Sequence, residues 1–115
     1  MDELLLLDQT LSNLAATSGT NRLEFPLVAP DEVWVLRAIT GYDDTSVASA
    51  IRVGYHNGAR DVWFESSPNP AAKLAVSFRG RLTIRQGQRV VVQFEGATSG
   101  DDLYASINGY RLKLT

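Results

Sequence analysis

The sequence has no cysteine, and its 115 residues include one histidine and one methionine. Without cysteine there are no disulfides, no zinc–thiolate centres and no thiol nucleophiles. With His56 as the single histidine, Ser-His-Asp triads and histidine-based transition-metal sites are poorly supplied. Positive charge is not in excess: the formal net charge is −2, and no basic field exists to hold nucleic acid. No apolar run approaches the roughly 20 residues that span a bilayer, so no membrane partner is expected. The opening "MDELLLL" has acidic residues where a secretion signal needs basic ones, which points to a cytoplasmic origin.

What the chain does contain is period-2 alternation. "RLEFPLV" places Leu23, Phe25 and Leu27 on one face, with Pro26 marking an edge. "EVWVLRAIT" is nearly continuously apolar, and "VASAIRVGYH" aligns Val47, Ile51, Val53 and Tyr55. "RDVWFES", "KLAVSFRG", "RLTIR", "QRVVVQFEG" and a closing segment from Leu103 complete eight such segments. They are separated by turn clusters, among them "HNGAR" with its Asn57-Gly58 hairpin signal. No interval is long enough for a βαβ crossover. The fold class is all-β: an antiparallel β-sandwich or jelly roll of about eight strands with an N-terminal helix or extended arm. In the closing segment the apolar parity changes, from Leu103, Ala105 and Ile107 to Tyr110, Leu112 and Leu114. A β-bulge at Gly109 is the simplest device that turns the second half inward.

Residues 1–20 are read as an N-terminal assembly arm or short helix, and 21–115 as the β-sandwich domain. Leu4, Leu7, Leu11 and Leu14 follow the seam of an amphipathic helix, with Asp2 as its cap. Leu5 and Leu6 widen the apolar stripe beyond one face, which fits an extended arm equally well. In either form the leucines need a cover, and another subunit is the expected one.

Candidates for chemistry are few. Asp43-Asp44 and Asp101-Asp102 are paired acids in loops. Such pairs supply oxygen ligands for calcium or two acids for glycoside hydrolysis, but adjacent aspartates are also ordinary turn formers, and no calcium-loop spacing is present. No catalytic residue, metal or cofactor is assigned. Arg79, Arg81, Arg85 and Arg89 align on outward faces of predicted strands, where an arginine row suits an acidic neighbour. Trp34 in "VWV" and Trp63 in "VWF" alternate against core-facing neighbours, so one of them is expected outward as an interface or sugar-stacking residue. The candidate partner interface is therefore Leu4, Leu5, Leu7, Leu11, Leu14, Trp34, Trp63, Arg79 and Arg81.

Three motifs together give a resemblance: "EVW" at Glu32 to Trp34 after Pro30, a "G-x-L-x-L-x-x-G" segment from Gly80 to Gly87, and a closing Gly-Asp strand from Gly100 to Gly109. From Val28 to Leu114 the chain resembles small β-sandwich structural proteins of tailed bacteriophages, which include capsid decoration (cement) proteins and minor tail components. The resemblance implies a non-enzymatic virion protein, made in the host cytoplasm, that binds the major capsid protein or another virion protein and assembles as a homotrimer. The alternative is a carbohydrate- or receptor-binding module of a tail or fibre, with Trp63, Asn57 and Asp61 as its platform.

Overall fold

The computed structural model describes residues 2–114. Eight strands form two four-stranded antiparallel sheets: β1 (Glu3–Asn13), β2 (Gly19–Glu24), β3 (Glu32–Asp43), β4 (Ala50–His56), β5 (Asp61–Pro68), β6 (Val76–Ile84), β7 (Arg89–Ala97) and β8 (Leu103–Lys113). One sheet has the order β1-β8-β3-β6 and the other β2-β7-β4-β5. Alternate residues from both sheets meet in one core. Leu36, Ile39, Ile84, Leu103 and Ile107 from the first pack with Ile51, Val53, Val90, Val92 and Phe94 from the second, all at most 1% exposed. Phe25, just past β2, is fully buried with them. On one flank the gap between the sheets is closed by an aromatic stack, Tyr55–Phe64–Phe78, with ring centroids 5.7 and 4.7 Å apart.

Of the two expected N-terminal forms, a helix or an extended arm, no helix is found among the described residues. The leucine run is strand β1, and it pairs with β8 without interruption from Glu3↔Lys113 to Asn13↔Leu103. β-Branched residues are not required here, because pairing to β8 and burial of alternate leucines outweigh helical propensity. Two predicted strands, "KLAVSFRG" and "RLTIR", are instead one, β6; Gly80 lies inside it, and the turn to β7 falls at 85–88. Leu27 and Val47, placed on core faces by alternation, lie outside the strands and are exposed, and the same holds for Leu74 of "KLAVSFRG".

The bulge is also displaced from its expected place. β8 runs regularly past Gly109 against β1. Against β8 the extra residue belongs to β3, at Arg37; the register with β6 shifts at the same place, where Gly80 and Arg81 lie opposite Arg37 and the extra residue is on β6. β8 therefore never changes faces. Gly109 and Arg111 continue the inward parity of Ile107, and Tyr110, Leu112 and Leu114 are not turned into the core.

Candidate interaction face

Cross-strand register orders the outer face of the β1-β8-β3-β6 sheet into rows. The first is Leu4–Leu112–Val33 and the second Leu6–Tyr110–Val35–Thr83. Then come Asp8–Asn108–Ala38–Arg79, Thr10–Ser106–Thr40–Ser77 and Ser12–Tyr104–Tyr42. One end of this face is thus apolar and the rest polar. Leu4 is 67% and Leu6 80% exposed, and Tyr110 and Leu114 are exposed beside them. Large apolar groups clustered on a surface are costly to hydrate, unlike the same groups scattered singly.

The centre of the face is basic. Arg37, thrown outward by the β3 bulge, shares a shallow depression with Thr40, Arg79, Gly80 and Asn108. Arg81 follows on the same strand face as Arg79. All three arginines are exposed, and none forms an ion pair among the described residues. Beyond them Tyr42 and Tyr104 stack at 5.2 Å.

The outer face of the other sheet is different, because its charges satisfy one another. Arg22 donates to Asp61 at 2.9 Å and to Gln93 at 2.8 Å; His56 Nδ1 lies 3.0 Å from Asp61; Arg52 pairs with Glu95 and Arg89 with Glu24. The hydrogen bond from Arg22 outweighs the effect of burial and, with that from His56, holds the Asp61 carboxyl below its ordinary range. Trp63 is half-buried there, in the row Trp63–Gly54–Val91–Glu24. Val91 faces that outer side by its register yet is fully buried, and Trp63 is the largest side chain of its row. Asn57 Oδ1 accepts the N–H groups of Ala59 and Arg60 and closes the hairpin turn. Of the three residues of the carbohydrate alternative, Asn57 closes a turn, Asp61 is held in an internal ion pair and Trp63 is half-buried.

The nine sequence-predicted interface residues do not form one surface. Leu4, Arg79 and Arg81 lie on the face just described. Leu7 and Trp34, each 3% exposed, point into the core and are not available to a partner. Leu5 and Leu11 are half-buried with the same inward parity, Leu14 is exposed in the loop after β1, and Trp63 is on the opposite sheet. Sequence reasoning left Tyr110, Leu112 and Arg37 out of the candidate interface, and counted Leu6 only as part of the leucine run. The signal was available in the parity change of β8, which records an apolar outer face rather than a turn into the core.

No protein-family model matches the chain, and no curated protein matches it. The fold is similar to that of a chain in the acidic stable capsid structure of Helicobacter pylori bacteriophage KHP30, with a TM-score of 0.52 and 13% identity over 94% of this chain and 94% of that one. It is also similar to a chain of the cyanophage Pam1 capsid asymmetric unit, with a TM-score of 0.53 and 13% identity over 99% of this chain and 86% of that one. At such identity the likeness is one of fold.

Proposed function

We propose that this chain is a non-enzymatic structural protein of a tailed-phage virion, a capsid decoration protein that attaches to the shell lattice through the outer face of the β1-β8-β3-β6 sheet. The observation that carries the reading is the asymmetry between the two outer faces. One is closed by its own ion pairs; the other presents Leu4, Leu6, Tyr110 and Leu112 in adjoining rows beside three arginines that form no ion pair among the described residues. Desolvated apolar centres rimmed by arginine are the ordinary anatomy of a protein interface. Its partner is a virion protein surface with apolar groups and carboxylates. The strand orders β1-β8-β3-β6 and β2-β7-β4-β5 support the jelly-roll form of the sandwich, and the two capsid chains of similar fold support the setting. Within this reading the N-terminal leucines are an assembly element by way of Leu4 and Leu6, and the chain acts as a homotrimer.

The test is co-sedimentation with particles lacking the protein. Wild type is expected to pellet with them, and Leu4→Lys/Leu6→Lys to stay in the supernatant while melting as wild type. Full attachment by that variant overturns the assignment of the face. Light scattering on the free protein tests the trimer, and a monomer at all accessible concentrations confines trimer formation to the lattice.

A further inference from the structure

Four loops meet at one end of the sandwich, and two buried carboxyl groups lie where they meet. Asp43, at the end of β3, is 1% exposed and Asp101, just before β8, is 2% exposed. Both converge on Ser46. Asp43 Oδ1 accepts the N–H groups of Thr45 at 3.0 Å and Ser46 at 3.1 Å, and the Ser46 hydroxyl donates to Asp101 Oδ2 at 2.6 Å. Asp101 Oδ2 also accepts the Thr98 N–H at 3.1 Å. The backbone around the pair joins the same loops: Ala16 N–H to Asp101 C=O, Gly100 N–H to Ala16 C=O, Asp44 N–H to Asp102 C=O, and Lys73 N–H to Asp43 C=O.

One atom in this cluster has no protein donor. Asp43 Oδ2 is fully buried, and no N–H or hydroxyl among the described residues bonds to it. Neither carboxyl forms an ion pair among the described residues. The charged groups of the surrounding loops do not neutralise the pair: Asp44 and Asp102 add to the negative charge, and Lys73 bonds through its backbone. Residues 14–18 add no titratable side chain. A buried carboxylate oxygen without a donor, next to a second carboxylate, is strongly unfavourable. A proton on Asp43 Oδ2 removes the problem by turning an orphaned acceptor into a donor toward Asp101.

We propose that Asp43 and Asp101 hold one proton between them, and that this shared proton latches the loops at 14–18, 44–49, 69–75 and 98–102 into one rigid end. Asp43 keeps the proton and Asp101 stays ionised, accepting from Asp43, Ser46 and Thr98. The titration tendencies agree with this arrangement. Burial, with the hydrogen bond to Asp101, holds the Asp43 carboxyl above its ordinary range despite the Thr45 and Ser46 N–H groups. Burial pushes Asp101 up, but the hydrogen bonds from Asp43, Ser46 and Thr98 outweigh it and hold that carboxyl below the ordinary range.

Stability then depends on pH in both directions. The folded chain binds the Asp43 proton more tightly than the unfolded chain, so that contribution is complete below the ordinary carboxyl pKa and is lost as pH rises through the folded value of Asp43. The contribution of Asp101 is complete above the ordinary pKa and is lost as pH falls through its own depressed value. The latch is tightest where the pair holds one proton.

Thermal unfolding across pH on the wild type and Asp43→Asn tests the proposal, because an amide at 43 donates to Asp101 at every pH. The two proteins are expected to melt together in mild acid. Above the folded value of Asp43, the wild type is expected to fall a few degrees below Asp43→Asn. Parallel curves over the whole range overturn the shared proton. Should Asp43→Asn not fold, carboxyl-carbon NMR titration of the wild type decides: separate steps above and below the free-aspartate range support the latch, and two ordinary titrations refute it. Calcium chloride against chelator is the remaining arm. A wild-type melting point raised by millimolar calcium at neutral pH makes the pair a cation site and overturns the proton; equal melting in both supports it.

Discussion

Gly109 and Gly54 occupy equivalent positions in the two sheets, each facing a place where its neighbouring strand bulges. At Gly109 a Cβ would collide with the Val35 carbonyl oxygen and approach Leu36 Cα at 3.0 Å, just before the bulged Arg37, and φ is +155°. At Gly54 it would collide with the Val62 carbonyl oxygen and lie 2.9 Å from Trp63 Cα, just before the extra residue Phe64. A bulge pulls the partner backbone inward, and glycine gives it room. Gly109→Val is therefore expected to destabilise the fold by about 2–4 kcal/mol, since it combines a disfavoured φ with a backbone clash. Gly58→Ala meets no atom within 4 Å and is disfavoured by its φ of +102° alone, so it should cost about 1 kcal/mol. Denaturant midpoints compare the two, and equal midpoints refute the crowding argument. Gly109 marked its site in the sequence, but the strand that bulges was not readable there. Arg37 has nothing in its own chemistry to announce an extra residue; the close approach of Val35 to Gly109 does so only once the strands are paired.

Strands β3, β4, β5 and β7 were legible because one side of each is polar or the apolar run is bounded by turn residues, so period 2 stands out. β1 was not. Leu4 to Leu7 satisfy a helical seam and a strand equally, and only pairing with β8 decides. β6 was cut in two because "RGR" has the composition of a turn. Among the sheet edges β1 is also the least guarded. β2 has six residues and a break in register with β7, β5 a bulge and Pro68, and β6 a bulge with Arg79 and Arg81, whereas β1 pairs over 11 residues without a break and contains no proline, lysine or arginine. Protected edges resist pairing with other chains, and an open leucine-rich edge beside an apolar face favours it. The interface reading then divides by element. Leu4→Lys/Leu6→Lys removes two exposed leucines, each contributing about 1.5–3 kcal/mol if fully covered, so attachment should weaken at least about a hundredfold. Arg79→Glu/Arg81→Glu on β6 should weaken attachment less, chiefly through the association rate, and flatten its dependence on salt. Binding isotherms on particles at two ionic strengths separate the two, and an unchanged salt dependence removes the arginines from the interface.

The body of the molecule measures 47 × 25 × 22 Å, thin enough that each sheet has one face in the core and one exposed. In so thin a sandwich an edge strand is part of the core. β1 sends Leu7 into it fully and Leu11 partly, Leu5 is half-buried with the same parity, and Ala16 in the loop that follows is 3% exposed. An arm folded apart from the body would be dispensable for stability. A strand with this burial is not: Leu7 alone accounts for about 1.5–3 kcal/mol, and its neighbours bring the sum to several, against a total of about 5–15 kcal/mol for a domain. Loss of β1 also uncovers the whole edge of β8 and the half-buried Arg111, whose partner Glu32 lies 3.5 Å away on β3. Deletion of residues 1–18 should therefore lower the melting temperature by tens of degrees or produce aggregate, while Leu4→Lys/Leu6→Lys, which alters the outer face alone, should melt within a few degrees of wild type. Circular dichroism melts of both proteins, read beside their co-sedimentation, separate the two roles of the segment. A deletion that melts as wild type would place β1 outside the core. A double lysine variant that unfolds would mean that the outer leucines stabilise the fold itself, and their exposure would then no longer point to a partner.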